Sequence, residues 1–152
     1  MNEVSAGDQV AGFLSKYAPE IASRARAILA KMRARLPGSV ELVYDNYNAL
    51  VIGFGPTERA SEAIFSIVLF PRWVSLAFLH GANLPDPKNL LRGSGKVARH
   101  IVLESAEALD TPAVQILMTH ALKRASKPFD PRQPSRIVIK SISARQRPRR
   151  PR

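Results

Sequence analysis

Apolar residues recur every three to four positions in some stretches of the chain and cluster into short β-branched or aromatic runs in others, which divides it into helices and strands. Residues 8–17 place Val10, Phe13, Leu14 and Tyr17 on one side of a short first helix. Pro19 suits the first turn of a second helix, where a missing N–H removes no hydrogen bond, and Pro37 with Gly38 closes that helix after Leu36. Inside it, Ile21, Ala25, Ile28, Leu29, Met32 and Leu36 form one stripe. Arg24, Lys31 and Arg35 run along one flank of the stripe and Arg26 and Arg33 along the other, a pattern expected of long side chains that reach past a core to water.

The runs ELVYD and ALVIGF, separated by Asn46, Tyr47 and Asn48, predict a β-hairpin. AIFSIVLFP and WVSLAFL, divided at Pro71 and Arg72, predict a second hairpin at the centre of the sheet, which makes four antiparallel strands. GANLPDPKNLLRGSGKVAR is rich in glycine and proline and predicts a long loop with one helical turn near residues 89–92. HIVLES supplies a further short strand. Thr111 and Pro112 are placed to cap and start a last helix running to about Ala125. The chain thus predicts an α+β fold, an antiparallel sheet of about five strands with helices packed on one face, over residues 1–127. Residues 128–142 read as an extended segment in which RIVIKSI offers an extra strand, and residues 143–152 as a disordered arginine-rich tail.

With 152 residues there is room for one core of ordinary size. The lack of cysteine removes disulfides, thiolate metal sites and cysteine nucleophiles, and makes the cytoplasm the expected compartment. No export signal is legible in MNEVSAGDQVAGFLSKYAP. The longest apolar run, AIFSIVLF, falls well short of the roughly 20 residues that span a bilayer, so no membrane insertion is expected. The formal net charge is +11, which favours acidic partners. Arg145, Arg147, Arg149, Arg150 and Arg152 crowd into the last eight positions; subtracting those five leaves +6 on the rest of the chain.

Catalytic signals are sparse. There is no GxSxG and no HExxH, and His80, His100 and His120 lie twenty residues apart on different expected elements. No metal or other cofactor is expected. The most suggestive segment is LLRGSGKVARH, residues 90–100. Gly93 and Gly95 around Ser94 permit a tight turn whose N–H groups converge on an anion, with Arg92, Lys96 and Arg99 adding charge. It is not an ATP-binding P-loop, because Leu90 stands where that motif needs glycine and Val97 where it needs Ser or Thr. Tyr44, Tyr47, Phe54, Trp73 and Phe78 lie on or beside the hairpins and could line one face, with Trp73 at a turn and free to stack on a ring. The five tail arginines could neutralise phosphates of RNA or DNA, or an acidic membrane surface, without folding.

The order of segments from ELVYDNYNALVIGF through FPRWVSLAFLHGANLPDPKNLLRGSGKVARHIVL to a helix ending near LKRA resembles the YdhG-like domain family, a domain of unknown function, over residues 10–127. The succession of hairpin, LPDP loop and GxGK, with Gly93, Gly95, Lys96 and Arg99, is its most specific part. The resemblance implies a compact domain of frataxin-like architecture and, in some members, an intracellular iron-chaperone role. Hard iron requires clustered oxygen ligands. Here Glu20 is followed on its helix only by cations, and Glu41 and Asp45 are the nearby acids. The expected function is therefore a non-enzymatic binding domain for an anionic small molecule or acidic partner at Arg92, Gly93, Ser94, Gly95, Lys96 and Arg99. Nucleic-acid association through the basic helix and tail is the alternative.

Overall fold

A computed structural model describes residues 4–151. Three helices, α1 (Ala6–Ser15), α2 (Pro19–Arg35) and α3 (Pro112–Arg124), pack on one face of a six-stranded sheet. The strands are β1 (Val40–Asp45), β2 (Leu50–Gly55), β3 (Phe65–Leu69), β4 (Val74–Phe78), β5 (Arg99–Leu103) and β6 (Arg136–Ile142), in spatial order β5-β4-β3-β2-β1-β6.

The two expected hairpins are present, and β5 extends them into a five-stranded antiparallel meander. The sheet itself is neither five-stranded nor wholly antiparallel. RIVIKSI is its sixth strand and pairs parallel to β1, with a register shift between Val43 and Tyr44. Parallel pairing needs a long crossover, and everything from β2 to α3 supplies it, so no local turn in the sequence marks the partner of this strand.

Alternation along the strands separates two faces. Val43, Ile52, Ile67 and Leu76 occupy one register row under the helices, and Leu50, Leu69, Val74 and Leu103 another. Phe54, Phe65 and Phe78 form a third, with Phe65 and Phe78 edge to face at 5.6 Å. From the helices, Phe13, Leu14, Ile28, Leu29, Met32, Leu117 and Met118 complete the core. Burial of this order, at roughly 1.5–3 kcal/mol per large apolar side chain, is what holds the layers together.

The first helix starts earlier than the apolar pattern suggests, because the Ser5 hydroxyl accepts the Asp8 N–H at 3.1 Å and caps it. The second ends as expected: Gly38 has φ +80°, and a Cβ there would lie 1.9 Å from Asp130 O. Thr111 precedes α3 without capping it; its hydroxyl donates to Ala108 O instead. The helical turn expected near residues 89–92 is absent. A short 3-10 turn forms earlier, at Gly81–Asn83, while the Asp86 carboxylate accepts the N–H groups of Leu90 and Leu91, both at 2.8 Å, and holds that stretch open.

Residues 143–151 do not trail into solvent. They fold back over the β1–β2 turn: Ser143 N–H donates to Asp45 O, the Gln146 amide to the same carbonyl, and Arg147 N–H to Tyr47 O, at 2.9, 3.0 and 2.9 Å. Where the sequence suggests a disordered tail, these contacts and the burial of Arg149 give it a fixed path. No described helix is long and apolar enough to cross a membrane.

Candidate functional site

The sheet face opposite the helices is only partly covered. Two rows cross it: Tyr44, Val51, Val68, Ser75 and Val102, and beside them Gly53, Ser66, Ala77 and His100. Small side chains in the second row keep the surface low. At the β3–β4 turn, Trp73 rises from this floor, 42% exposed, and leans on Phe70 with ring centroids 5.1 Å apart and planes tilted by 32°.

The folded-back C-terminal segment gives the low surface a wall. Between it and the β3–β4 turn lies a cleft of about 990 Å³ lined by Tyr47, Val51, Phe70, Arg72, Trp73, Arg147 and Arg150, among other residues, with no Asp or Glu in its lining. The Arg147 guanidinium lies over the Tyr47 ring, 5.7 Å from its centroid, and Tyr47 is 49% exposed. A second section, about 360 Å³, continues past Val68, Phe70 and Trp73 to Ser75, Ala77 and His100, again without a carboxylate. The Ser75 hydroxyl, buried under this section, has no hydrogen-bond partner among the described residues.

The tail arginines take four separate roles. Arg149 is buried: its Nη2 meets Asp45 Oδ1 at 2.9 Å, it also donates to the carbonyls of Asn46 and Tyr47, and it lies 5.8 Å over the Tyr17 ring. Lys16 Nζ reaches the other Asp45 oxygen at 3.3 Å. Arg150 donates to Lys16 O at 3.2 Å, close to the end of α1, where exposed carbonyls favour a cation. Arg147 faces the cleft. Arg145 is exposed, and Arg152 lies outside the described residues.

The glycine-rich loop is placed differently from the expected anion nest. Arg92 and His100 form a β-bridge at its base, and Gly93 takes φ +116°. Arg92 donates to Asn89 O at 2.9 Å, and Arg99 turns back onto the carbonyls of Gly95 and Ala98. Both guanidiniums therefore brace the loop. Ser94, Gly95 and Lys96 stand exposed at its tip, and of the six expected residues only Arg99 reaches the open-face cleft.

Of the aromatic residues singled out from sequence, Phe54 and Phe78 are in the helix-side core, whereas Tyr44 and Trp73 are on the open side and Tyr47 is on the β1–β2 turn. On α2, Arg33 makes a two-point contact with buried Glu41 at 2.8 and 2.9 Å, which keeps the guanidinium proton-bound beyond its ordinary range. Lys31 and Arg35 both hold Asp110. The basic helix thus uses much of its charge internally. Among the described residues no three His, Asp or Glu side chains converge as metal ligands. What escaped sequence reasoning is the cleft wall, because its two sides come from residues 47–73 and 143–151, and only the return of β6 beside β1 brings them together.

Compared with known proteins, the chain matches no family model, no curated protein and no solved structure.

Proposed function

We propose that this chain is a binding domain for an anionic ligand or acidic partner, received in the open-face cleft between the β3–β4 turn and the C-terminal segment. The observation that carries this reading is the cleft lining itself: Arg72, Arg147 and Arg150 stand beside Tyr47 and Trp73 without a carboxylate. Cations gathered in a concavity raise the local concentration of anions, and the chain's net charge of +11 acts in the same direction. The glycine-rich loop, braced by its own arginines, borders the groove through Arg99.

Membership of the YdhG-like family, with a frataxin-like architecture, belongs to the same proposal and rests on the order of segments from β1 to α3. The iron-chaperone role has less support. Glu41 and Asp45, the acids nearest a metal site on that view, are each already engaged by a cation.

The test is titration with inorganic polyphosphate at several salt concentrations. Replacing Arg72 and Arg147 together with alanine is expected to weaken binding at least tenfold, and Lys96→Ala to change it less. Equal affinity of the double variant and the parent chain would remove the cleft as the site. A larger loss from Lys96→Ala would move the site to the glycine-rich loop.

A further inference from the structure

We infer that the cleft's occupant is single-stranded nucleic acid, laid across the open sheet face with bases stacked on Trp73 and Tyr47. The inference rests on the binding reading above and narrows it to one partner chemistry.

The first argument is continuity. The two sections of the cleft share Val68, Phe70 and Trp73, so one track runs from Tyr47 and Arg147 to His100 and Arg99. From β2 to β5 it crosses three strand gaps of ~4.8 Å each, ~14 Å in all. A lone phosphate or carboxylate would fill a small part of this length, whereas a short stretch of polymer fills it.

The second argument is the chemistry along the track. Exposed aromatic rings offer flat faces on which any base can stack, and arginines beside them meet the backbone phosphates. Trp73 and Tyr47 supply the faces, at 42% and 49% exposure. Phe70 supports the Trp73 ring from behind, and Arg147 lies against the Tyr47 ring. Arg72, Arg147 and Arg150 line the larger section and Arg99 the smaller one, with no carboxylate in either lining to repel phosphate. Charge complementarity alone would suit a duplex equally well, but a duplex hides its base faces and leaves the rings with nothing to stack on. The geometry therefore selects single strands.

Trp73 is the chain's only tryptophan, so its fluorescence reports directly on the site. The full chain would be titrated with a labelled single-stranded 12-mer, the matching duplex, inorganic polyphosphate and an acidic peptide. The single strand is expected to bind most tightly, to quench Trp73 and to depend steeply on salt. Anisotropy of the labelled 12-mer then reads the variants: Trp73→Leu, which keeps an apolar contact with Phe70, is expected to weaken single-strand binding roughly tenfold and leave polyphosphate binding unchanged, while Trp73→Phe retains most of the affinity. Equal binding of single strand and polyphosphate, with Trp73→Leu affecting neither, would overturn the stacking assignment and leave the anion reading standing. Tightest binding of the duplex or of the acidic peptide would overturn it as well. If polyphosphate also fails to bind, the anion reading falls with it.

Discussion

Arg149 Nη2 lies 2.9 Å from Asp45 Oδ1, and the two side chains are 3% and 1% exposed. This buried pair fastens residues 143–151 to the end of β1, and the Asn46 and Tyr47 carbonyls take up further donors of the same guanidinium. Lys16, half exposed, is the other cation on Asp45.

Breaking a buried pair from one side leaves the other charge desolvated and typically costs about 3–5 kcal/mol. Because Lys16 remains, Arg149→Ala is expected near the lower end. For a chain of this size ~1 kcal/mol corresponds to a Tm change of about 2–4 °C, so a fall on the order of 10 °C should appear in a thermal melt. A chain ending at Ser143 should lose a similar amount. A melt unchanged in both would mean that the segment is not docked.

Tyr17 gives an alkaline signature. Its hydroxyl donates to Leu69 O at 3.0 Å and accepts Leu50 N–H at 3.2 Å. Burial pushes its pKa above the ordinary value of 10, against the opposing charge of Arg149. The folded value being the higher one, the contribution is complete below about pH 10 and is lost as pH rises through the folded-state value. Tyr17→Phe should flatten the alkaline limb of a stability profile and cost about 1–3 kcal/mol at neutral pH, since two backbone groups lose a partner.

Asp110 acts on the acid side. The hydrogen bond from Lys31, then the charges of Lys31 and Arg35, hold its carboxyl below the usual range. Its stabilising effect is present above the unfolded value of about 4 and disappears as pH falls through the lower folded one. The carboxylate is solvent-facing, so the effect is small. Denaturant melts at pH 7 and pH 3 should show a smaller pH-dependent difference for Asp110→Asn than for the parent chain.

Two glycines should respond in opposite directions to alanine. At Gly38 the positive φ and the 1.9 Å approach of Asp130 O predict a loss of more than about 1–3 kcal/mol. Gly12 lies inside α1 with open space around a new Cβ, and Gly12→Ala should stabilise by about 0.5–1 kcal/mol. Chemical denaturation of both variants checks the pair.

Local order was largely legible in the sequence. Val10, Phe13, Leu14 and Tyr17 are all buried as their spacing requires, and the Pro37-Gly38 stop holds. Both hairpins follow from turn residues between β-branched runs. Long-range relationships were not legible. Nothing in RIVIKSI distinguishes a parallel partner of β1 from an unpaired extended segment, because that choice depends on an edge more than ninety positions earlier. Composition marks Arg149 as one solvated tail cation among several, and only the burial of Asp45 makes it structural. The same limit applies to the candidate site: the exposed Trp73 could be anticipated from its turn, but not that Arg147 and Arg150 line the same cleft.

The parallel ladder between β1 and β6 also bears on how quickly the native state is reached. Gly38 N–H and Ser135 Oγ, which meet at the start of that ladder, are separated by 97 positions. Meander strands close short loops, whereas this pairing closes a long one and carries the larger entropy cost. Until it forms, β1 presents a bare row of backbone donors and acceptors to any neighbouring chain. Docking of β6 is therefore expected to be the slow, long-range step of folding, and the one that covers the β1 edge.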